Sequence, residues 1–228
     1  MLLAIFLLFW GEDAFAWSFE THIKIGLSIL ENTNVPVISK FPSHFLLGNI
    51  FPDFFNLFKN FSHLKKNLNT HSWRTVSLLF KNSKDDKSKA FAYGYSAHLS
   101  ADIVAHNYFI PNYYLTTSNK KVFAHFLTES AEESLNFKKF KNSLYYLLDN
   151  AHTLGESFLK INHIDEGYFK RQVKYIRMGL FYQYTLGVGN FSKIIRKKGN
   201  SNFETECRHY QNEALKIARE RFLQSNKV

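Results

Sequence analysis

The chain of 228 residues has a single cysteine, Cys207, so it can form neither an intramolecular disulfide nor a cysteine-based zinc finger. It lacks a Gly-rich phosphate loop and a nucleophile elbow, the signatures of two large groups of enzymes. No segment alternates between apolar and polar residues long enough to argue for a strand. The apolar run Leu2 to Trp10 falls well short of the roughly twenty residues that a membrane span needs. Acidic side chains are the scarcer charge: 19 Asp and Glu face 29 Lys and Arg, a formal net charge of +10. Such a balance attracts anionic partners, whether phospholipid membranes or nucleic acid. Lys193, Arg196, Lys197 and Lys198 form its densest local patch.

Aromatic residues are abundant instead, 17% of the chain with 24 Phe, and much of that area must pack inside. Apolar positions recur with helical period at Phe137, Phe140, Leu144, Leu147, Leu148, Ala151 and Leu154, and again at Cys207, Tyr210, Ala214, Ile217 and Phe222. The pattern predicts helices over about 19–31, 71–81, 86–108, 119–135, 137–153, 163–186 and 203–224. Asn82 to Lys87 reads as a polar connection and Leu186 to Asn190 as a break, while residues 49–53 read as an irregular stretch. No internal repeat or linker divides the chain. The expected fold is all-α, a single-domain helical bundle with a metal-bearing cleft between facing helices.

The amino terminus reads as an export signal. After Leu2 to Trp10 come Gly11-Glu12-Asp13 and then Ala14-Phe15-Ala16, a small-x-small cleavage signature just before Trp17. The expected organisation is a signal peptide at 1–16 and one domain at 17–228, exported (secreted or periplasmic) after cleavage between Ala16 and Trp17. Removal of Glu12 and Asp13 leaves 29 basic against 17 acidic residues, a formal +12. Cleavage also gives Trp17 a free α-amine, a nitrogen donor that a residue inside the chain cannot offer.

Nine candidate metal ligands are strung along the first 129 positions: Trp17, His22, Asp53, His71, His98, Asp102, His106, His125 and Glu129. Imidazoles and carboxylates are the nitrogen and oxygen ligands of catalytic zinc. The densest part is His98-x3-Asp102-x3-His106, followed by His125-x3-Glu129. Spacings of four place side chains on one helix face with a drift of roughly 40° per step. His98 and His106 then stand about 80° apart with Asp102 between them, so one helix can serve two neighbouring metals. Burying Asp102 in the apolar setting of Ala97, Leu99, Ala101, Ile103, Val104 and Ala105 is costly unless a partner such as a metal neutralises it. His44, His63, His152, His163 and His209 read as hydrogen-bonded core histidines and not as ligands. Glu20, Phe54 and Phe55 lie near the expected site in sequence, and packing or surface is the favoured reading for them over the lining of a substrate pocket.

These segments, Trp17-Ser-Phe-Glu-Thr-His22, Gly48-Asn-Ile-Phe-Pro-Asp53, Thr70-His71-Ser72, Tyr95-Ser-Ala-His98-Leu-Ser-Ala-Asp102-Ile-Val-Ala-His106 and His125-Phe-Leu-Thr-Glu129, give the chain its family likeness. It resembles the bacterial zinc-dependent phospholipases C, and through them the N-terminal domain of glycosylphosphatidylinositol-specific phospholipase D and the zinc-dependent single-strand nucleases. The resemblance covers about residues 17–130. It implies three zinc ions: one on Asp53, His71, His98 and Asp102; a second on the Trp17 amine and carbonyl, His22 and a bridging Asp102; a third on His106, His125 and Glu129. Trp17 and His22 are five apart, nearer the nuclease and phospholipase D spacing, so no substrate-pocket residue is carried over.

A site holding several zinc ions activates water and stabilises the attacking and leaving oxygens of a phosphoryl transfer. The expected activity is therefore phosphodiester hydrolysis, most simply of phospholipids in the phospholipase C manner, with Asp53 both ligating metal and orienting or deprotonating the water. Cleavage on the glycerol side would release diacylglycerol; cleavage on the other side would be phospholipase D chemistry. Two alternatives stand beside it: a single-strand nuclease or nucleotidase, which needs an aromatic base-stacking pocket, and a non-catalytic zinc-stabilised module bound to a membrane or an export partner.

Overall fold

The computed structural model describes residues 17–55, 69–112, 128, 131–185 and 202–225. The predicted leader, His63, His125, Glu129 and the basic patch at 193–198 lie outside those residues. The described residues are helical with no strand among them, so the fold is all-α. In chain order the helices are α1 (Phe19–Glu31), α2 (Pro36–Lys40), α3 (Pro42–Gly48), a 3-10 helix (Phe51–Phe55), α4 (Trp73–Asn82), α5 (Asp86–Val104) continuing as a π turn (Ala105–Phe109), α6 (Lys141–Asp149), α7 (Ala151–Leu154), α8 (Glu156–Ile161), α9 (Glu166–Thr185) and α10 (Phe203–Ser225). Residues 131–136 are also helical.

Helix α5 is the axis on which the others pack. Its start is fixed by a capping box in which Asp85 accepts from the Ser88 amide at 2.7 Å and the Ser88 hydroxyl faces the Asp85 amide. Every residue from Ala90 to Asp102 is buried, which marks a helix surrounded on all sides. Small residues let its neighbours come close. A Cβ at Gly94 would stand 1.9 Å from the Phe45 backbone oxygen, and one at Gly48 2.2 Å from that of Phe91, so α3 and α5 touch backbone to backbone. On one side of α5, Ala214, Ala218 and Phe222 of α10 pack with Phe45 and Tyr93. On the other, Phe51 meets the rings of Phe54, Phe55, Phe91, Phe158 and Phe169.

Several predicted boundaries move, each for a local reason. Helices α2 and α3 were not expected; each begins on a proline at its first position, where a missing N–H costs nothing. The stretch read as irregular around Asp53 is a 3-10 helix clamped by Phe51, Phe54 and Phe55. Helix α4 starts at Trp73 and not at 71, because the Ser72 side chain caps it at the Arg74 amide and leaves His71 on the preceding turn. The segment predicted as one helix over 137–153 opens with a turn at Lys138, whose φ of 65° and whose amide, bonded to Glu20, keep it out of a helix. The helix proper then runs only from Lys141 to Asp149 before α7 and α8 follow as separate short turns. The last two helices lie close to where the pattern puts them.

Candidate functional site

Three elements that meet at α5 bring the candidate ligands together. His22 lies in the first turn of α1, where Ser18 caps the helix, and Asn49 Nδ2 donates to its carbonyl at 2.5 Å. Asp53 sits on the 3-10 helix, anchored by buried rings on both sides. His98 and Asp102 are successive turns of α5. His71 reaches in from the turn before α4, which Tyr95 holds by donating to the Thr70 carbonyl at 2.7 Å.

Asp53 Oδ1 and Asp102 Oδ2 each approach the Nε2 atoms of both His71 and His98. His71 Nε2 is 3.2 Å from Asp53 Oδ1 and 3.3 Å from Asp102 Oδ2. His98 Nε2 is 3.1 Å from Asp102 Oδ2, 3.7 Å from Asp53 Oδ1 and 3.2 Å from His71 Nε2. Four ligands bonded to zinc at about 2.1 Å in a tetrahedron are separated from each other by about 3.4 Å. The separations of each carboxylate from the two imidazoles are of that size. His98 Nδ1 faces the Asn49 carbonyl at 3.0 Å and so presents the other nitrogen to the cluster, and His71 Nδ1 has Thr70 Oγ1 at 3.1 Å.

Asp102 also faces a second way. Its Oδ1 lies 3.5 Å from Nε2 of His22, whose ring stacks on His98 with centroids 4.1 Å apart. Neither ring nitrogen of the fully buried His22 has a hydrogen-bond partner, and Asp102 Oδ1 has none either. Leaving such groups unsatisfied in the interior is costly, and a cation between them would remove the cost. The donor atoms of His22, Asp53 and His98, and separately those of His71, His98 and Asp102, could hold a metal ion.

The electrostatics follow from two carboxylates among three imidazoles. Burial would raise the Asp102 carboxyl, but His98, His22 and His71 outweigh it and hold it well below the usual range. Burial would lower His71, yet the hydrogen bonds to Asp102 and Asp53 raise it to about 10. His98 is raised against its own burial by the same two acids. His22 goes the other way: burial, then the neighbouring His98, lower it and favour the neutral imidazole that a metal requires.

The other expected ligands are placed differently. Trp17 is buried, its ring 6.5 Å from that of His22 and 6.2 Å from Phe109. His106 is exposed on the π turn, because α5 stays α-helical only to Val104 and its wider last turn ends the regular drift assumed over 86–108. His125 and Glu129, expected with it, lie outside the described residues. His44 and His152 are half-buried and His163 and His209 exposed, so these four are not the core histidines the sequence suggested. Phe54 and Phe55 are packed in the core. Glu20 is buried as well, accepting from the Lys138 amide at 3.0 Å and the Tyr184 hydroxyl at 2.5 Å.

Behind His22 lies a polar network that sequence reasoning missed. Glu132, fully buried, accepts from Thr21 Oγ1 at 2.6 Å and from Gln211 Nε2 at 2.9 Å. Asn136 donates to Thr21 at 2.9 Å and Lys24 to Gln211 at 2.6 Å. These contacts tie α1 to the 131–136 segment and to α10. Thr21 and Glu132 are 111 positions apart, and no local pattern announces the pair. Asn49, which touches both His22 and His98, carries no sequence signal of its own either.

Residues 21–218 match the family model described as zinc dependent phospholipase C. No curated protein and no solved structure gives a match.

Proposed function

The chain belongs to the zinc-dependent phospholipase C family, and from that premise we propose that it hydrolyses phospholipids at a multi-zinc centre built on Asp53, His71, His98, Asp102, His22 and the mature Trp17 terminus. Membership implies a zinc-dependent hydrolase acting on phosphodiester bonds, and it supports phospholipid as the substrate class. The observation that carries the residue assignment is the approach of both carboxylates, Asp53 and Asp102, to Nε2 of His71 and of His98 at 3.1 to 3.7 Å, with Asp102 turned to His22 by its remaining oxygen. His106, His125 and Glu129 complete the proposal as a third zinc position.

Zinc bound there would supply a water of lowered pKa and would draw negative charge from the phosphoryl oxygens. The protein's own part is to position and to exchange protons. Asp53, on its rigid 3-10 helix, orients the attacking water and accepts its proton. Asn49 and Thr70 fix the rings of His98 and His71. His71, with 30% of its side chain exposed, stands where the cluster opens to solvent, which gives a substrate a way in and favours catalysis over a purely structural metal. With Phe54 and Phe55 in the core, neither offers a face to a nucleic-acid base, so the phospholipid reading stands ahead of the nuclease one.

Residues 1–16 complete the reading as an export leader whose removal frees the Trp17 amine, with residues 17–228 forming one domain. No helix among the described residues is long and apolar enough to cross a membrane. The test is to supply zinc-loaded protein beginning at Trp17 with phospholipid vesicles, soluble phosphodiesters and single-stranded nucleic acid. Diacylglycerol and a phosphorylated head group are the expected products. Release of nucleotides alone would move the chain to the nuclease reading.

A further inference from the structure

Helix α9 has two faces of different character. Phe169, Ile176, Leu180 and Tyr184 are buried in the core. The opposite face turns Tyr175, Met178, Phe181 and Tyr182 outward, and these are 38%, 46%, 58% and 50% exposed. Single exposed apolar side chains are ordinary, but Met178, Phe181 and Tyr182 stand within little more than one turn and together make a contiguous exposed apolar patch. Tyr175, Met178 and Tyr182 follow one another at i, i+3 and i+7, with Phe181 three after Met178, so they make one stripe. A Cβ added at Gly179, beside the stripe, would meet nothing within 4 Å.

The same outward face carries Lys170, Arg171 and Lys174, all exposed, one to two turns earlier. Glu166, the only acid in the helix, lies 2.6 Å from Lys170. Arg177 is directed to Asp149 and the Tyr145 ring. Arg171 and Lys174 thus remain as the outward cations beside the aromatic stripe. The last turn of α9 is pinned next to the candidate site, by Tyr184 on Glu20, two residues before His22, and by Gln183 on Glu133.

We propose that this face of α9 is an interfacial docking surface that seats the protein on an anionic phospholipid bilayer. Met178, Phe181 and Tyr182 enter the boundary between head groups and acyl chains, while Arg171 and Lys174 meet lipid phosphates. The proposal rests on the phospholipid reading of the site, since an enzyme of that kind must be carried to the surface where its substrate lies. A basic patch suits an anionic surface, whereas pairing with its own copy across a two-fold axis would set like charges together.

The test uses zinc-loaded full-length mature protein and co-flotation with phosphatidylcholine vesicles, with and without phosphatidylglycerol. Partition onto the anionic vesicles should fall roughly thirtyfold in Arg171→Gln/Lys174→Gln, and about tenfold or more in Met178→Ser/Phe181→Ser. Circular dichroism and the rate on a soluble short-chain phosphodiester should stay at wild-type levels in both. Partition unchanged in both variants, or a wild type that binds neither kind of vesicle, overturns the docking surface and leaves the hydrolytic reading in place. A dimer that dissociates in the variants while vesicle binding persists also overturns it and gives the face to a second copy. Vesicle binding that depends on these residues without lipid hydrolysis supports the surface and strikes the hydrolytic reading instead.

Discussion

The backbone carbonyl of Asn49 lies 3.0 Å from Nδ1 of His98, which leaves the other ring nitrogen of that histidine facing the carboxylates. The Asn49 side chain reaches the opposite way and holds the carbonyl of His22 at 2.5 Å. One residue at the end of α3 therefore sets the position of imidazoles on two other helices. Asn49→Ala keeps the first contact and loses the second. It should cost about 1–3 kcal/mol of stability and weaken zinc binding about tenfold or more. Denaturant unfolding and zinc titration measure the two effects, and an unaltered zinc affinity would show that His22 needs no such support.

Asp53→Asn should retain most of the zinc and lose most of the turnover. The amide still offers an oxygen to a metal but cannot accept a proton from water. Near-normal rates in a metal-replete sample would remove Asp53 from the proton-transfer role.

Asp102→Ala should be more damaging than His106→Ala. Asp102 turns one oxygen to His71 and His98 and the other to His22, as a bridge would. Metal analysis is expected to find up to two zinc ions lost in the first variant and one in the second. Equal stoichiometries would argue against bridging.

Trp17 gives a prediction about processing. Protein beginning at Trp17 is compared with protein carrying one additional residue before it, whose amide cannot ligate as the free amine does. The longer form should bind less zinc and hydrolyse phosphodiesters more slowly, while the His106, His125 and Glu129 position survives. Matching stoichiometries and rates would sink the free-amine ligand.

Glu132 gives a pH dependence. Burial pushes its carboxyl up to about 7 from an ordinary 4.5, against the hydrogen bond from Thr21. Between those values the folded protein keeps a proton that the unfolded chain has released. Stability therefore falls as pH rises from about 4.5 to about 7, by on the order of 3 kcal/mol, and is flat on either side so far as this group is concerned. Glu132→Gln should abolish that part of the slope. Unfolding of both proteins at several pH values isolates the difference, since any contribution of the metal ligands is common to the two. Parallel curves would remove Glu132 as the cause.

How much of this was readable from sequence depends on how local each signal is. The i,i+4 pair of His98 and Asp102 lies within one helix, and periodicity alone put both on a common face. The start of α10 and most of α9 were equally plain, because long periodic segments average over exceptions. Asp53 was a recognisable ligand candidate whose 3-10 helix was hidden, since its shape comes from Phe51, Phe54 and Phe55 docking on rings of α5, α8 and α9. The break in the 137–153 segment could not be seen either: Lys138 is drawn out of the helix by Glu20, whose sequence neighbourhood is elsewhere. The π turn at Ala105 to Phe109 likewise has no composition that distinguishes it from the α-helix it continues.

The glycine contacts between α3 and α5 bear on how a metal or substrate can come and go. Where Gly48 and Gly94 meet, there is no side chain to rotate aside, so that wall behaves as a hinge-less block carrying Asn49, His98 and Asp102 together. On the opposite side His71 is held on a short turn by Tyr95 and Thr70 and is the most exposed of the clustered ligands. If zinc binds as proposed, its exchange is expected to respond more to changes in the turn at 69–72, which carries the exposed ligand, than to changes in the glycine-sealed wall of α3 and α5.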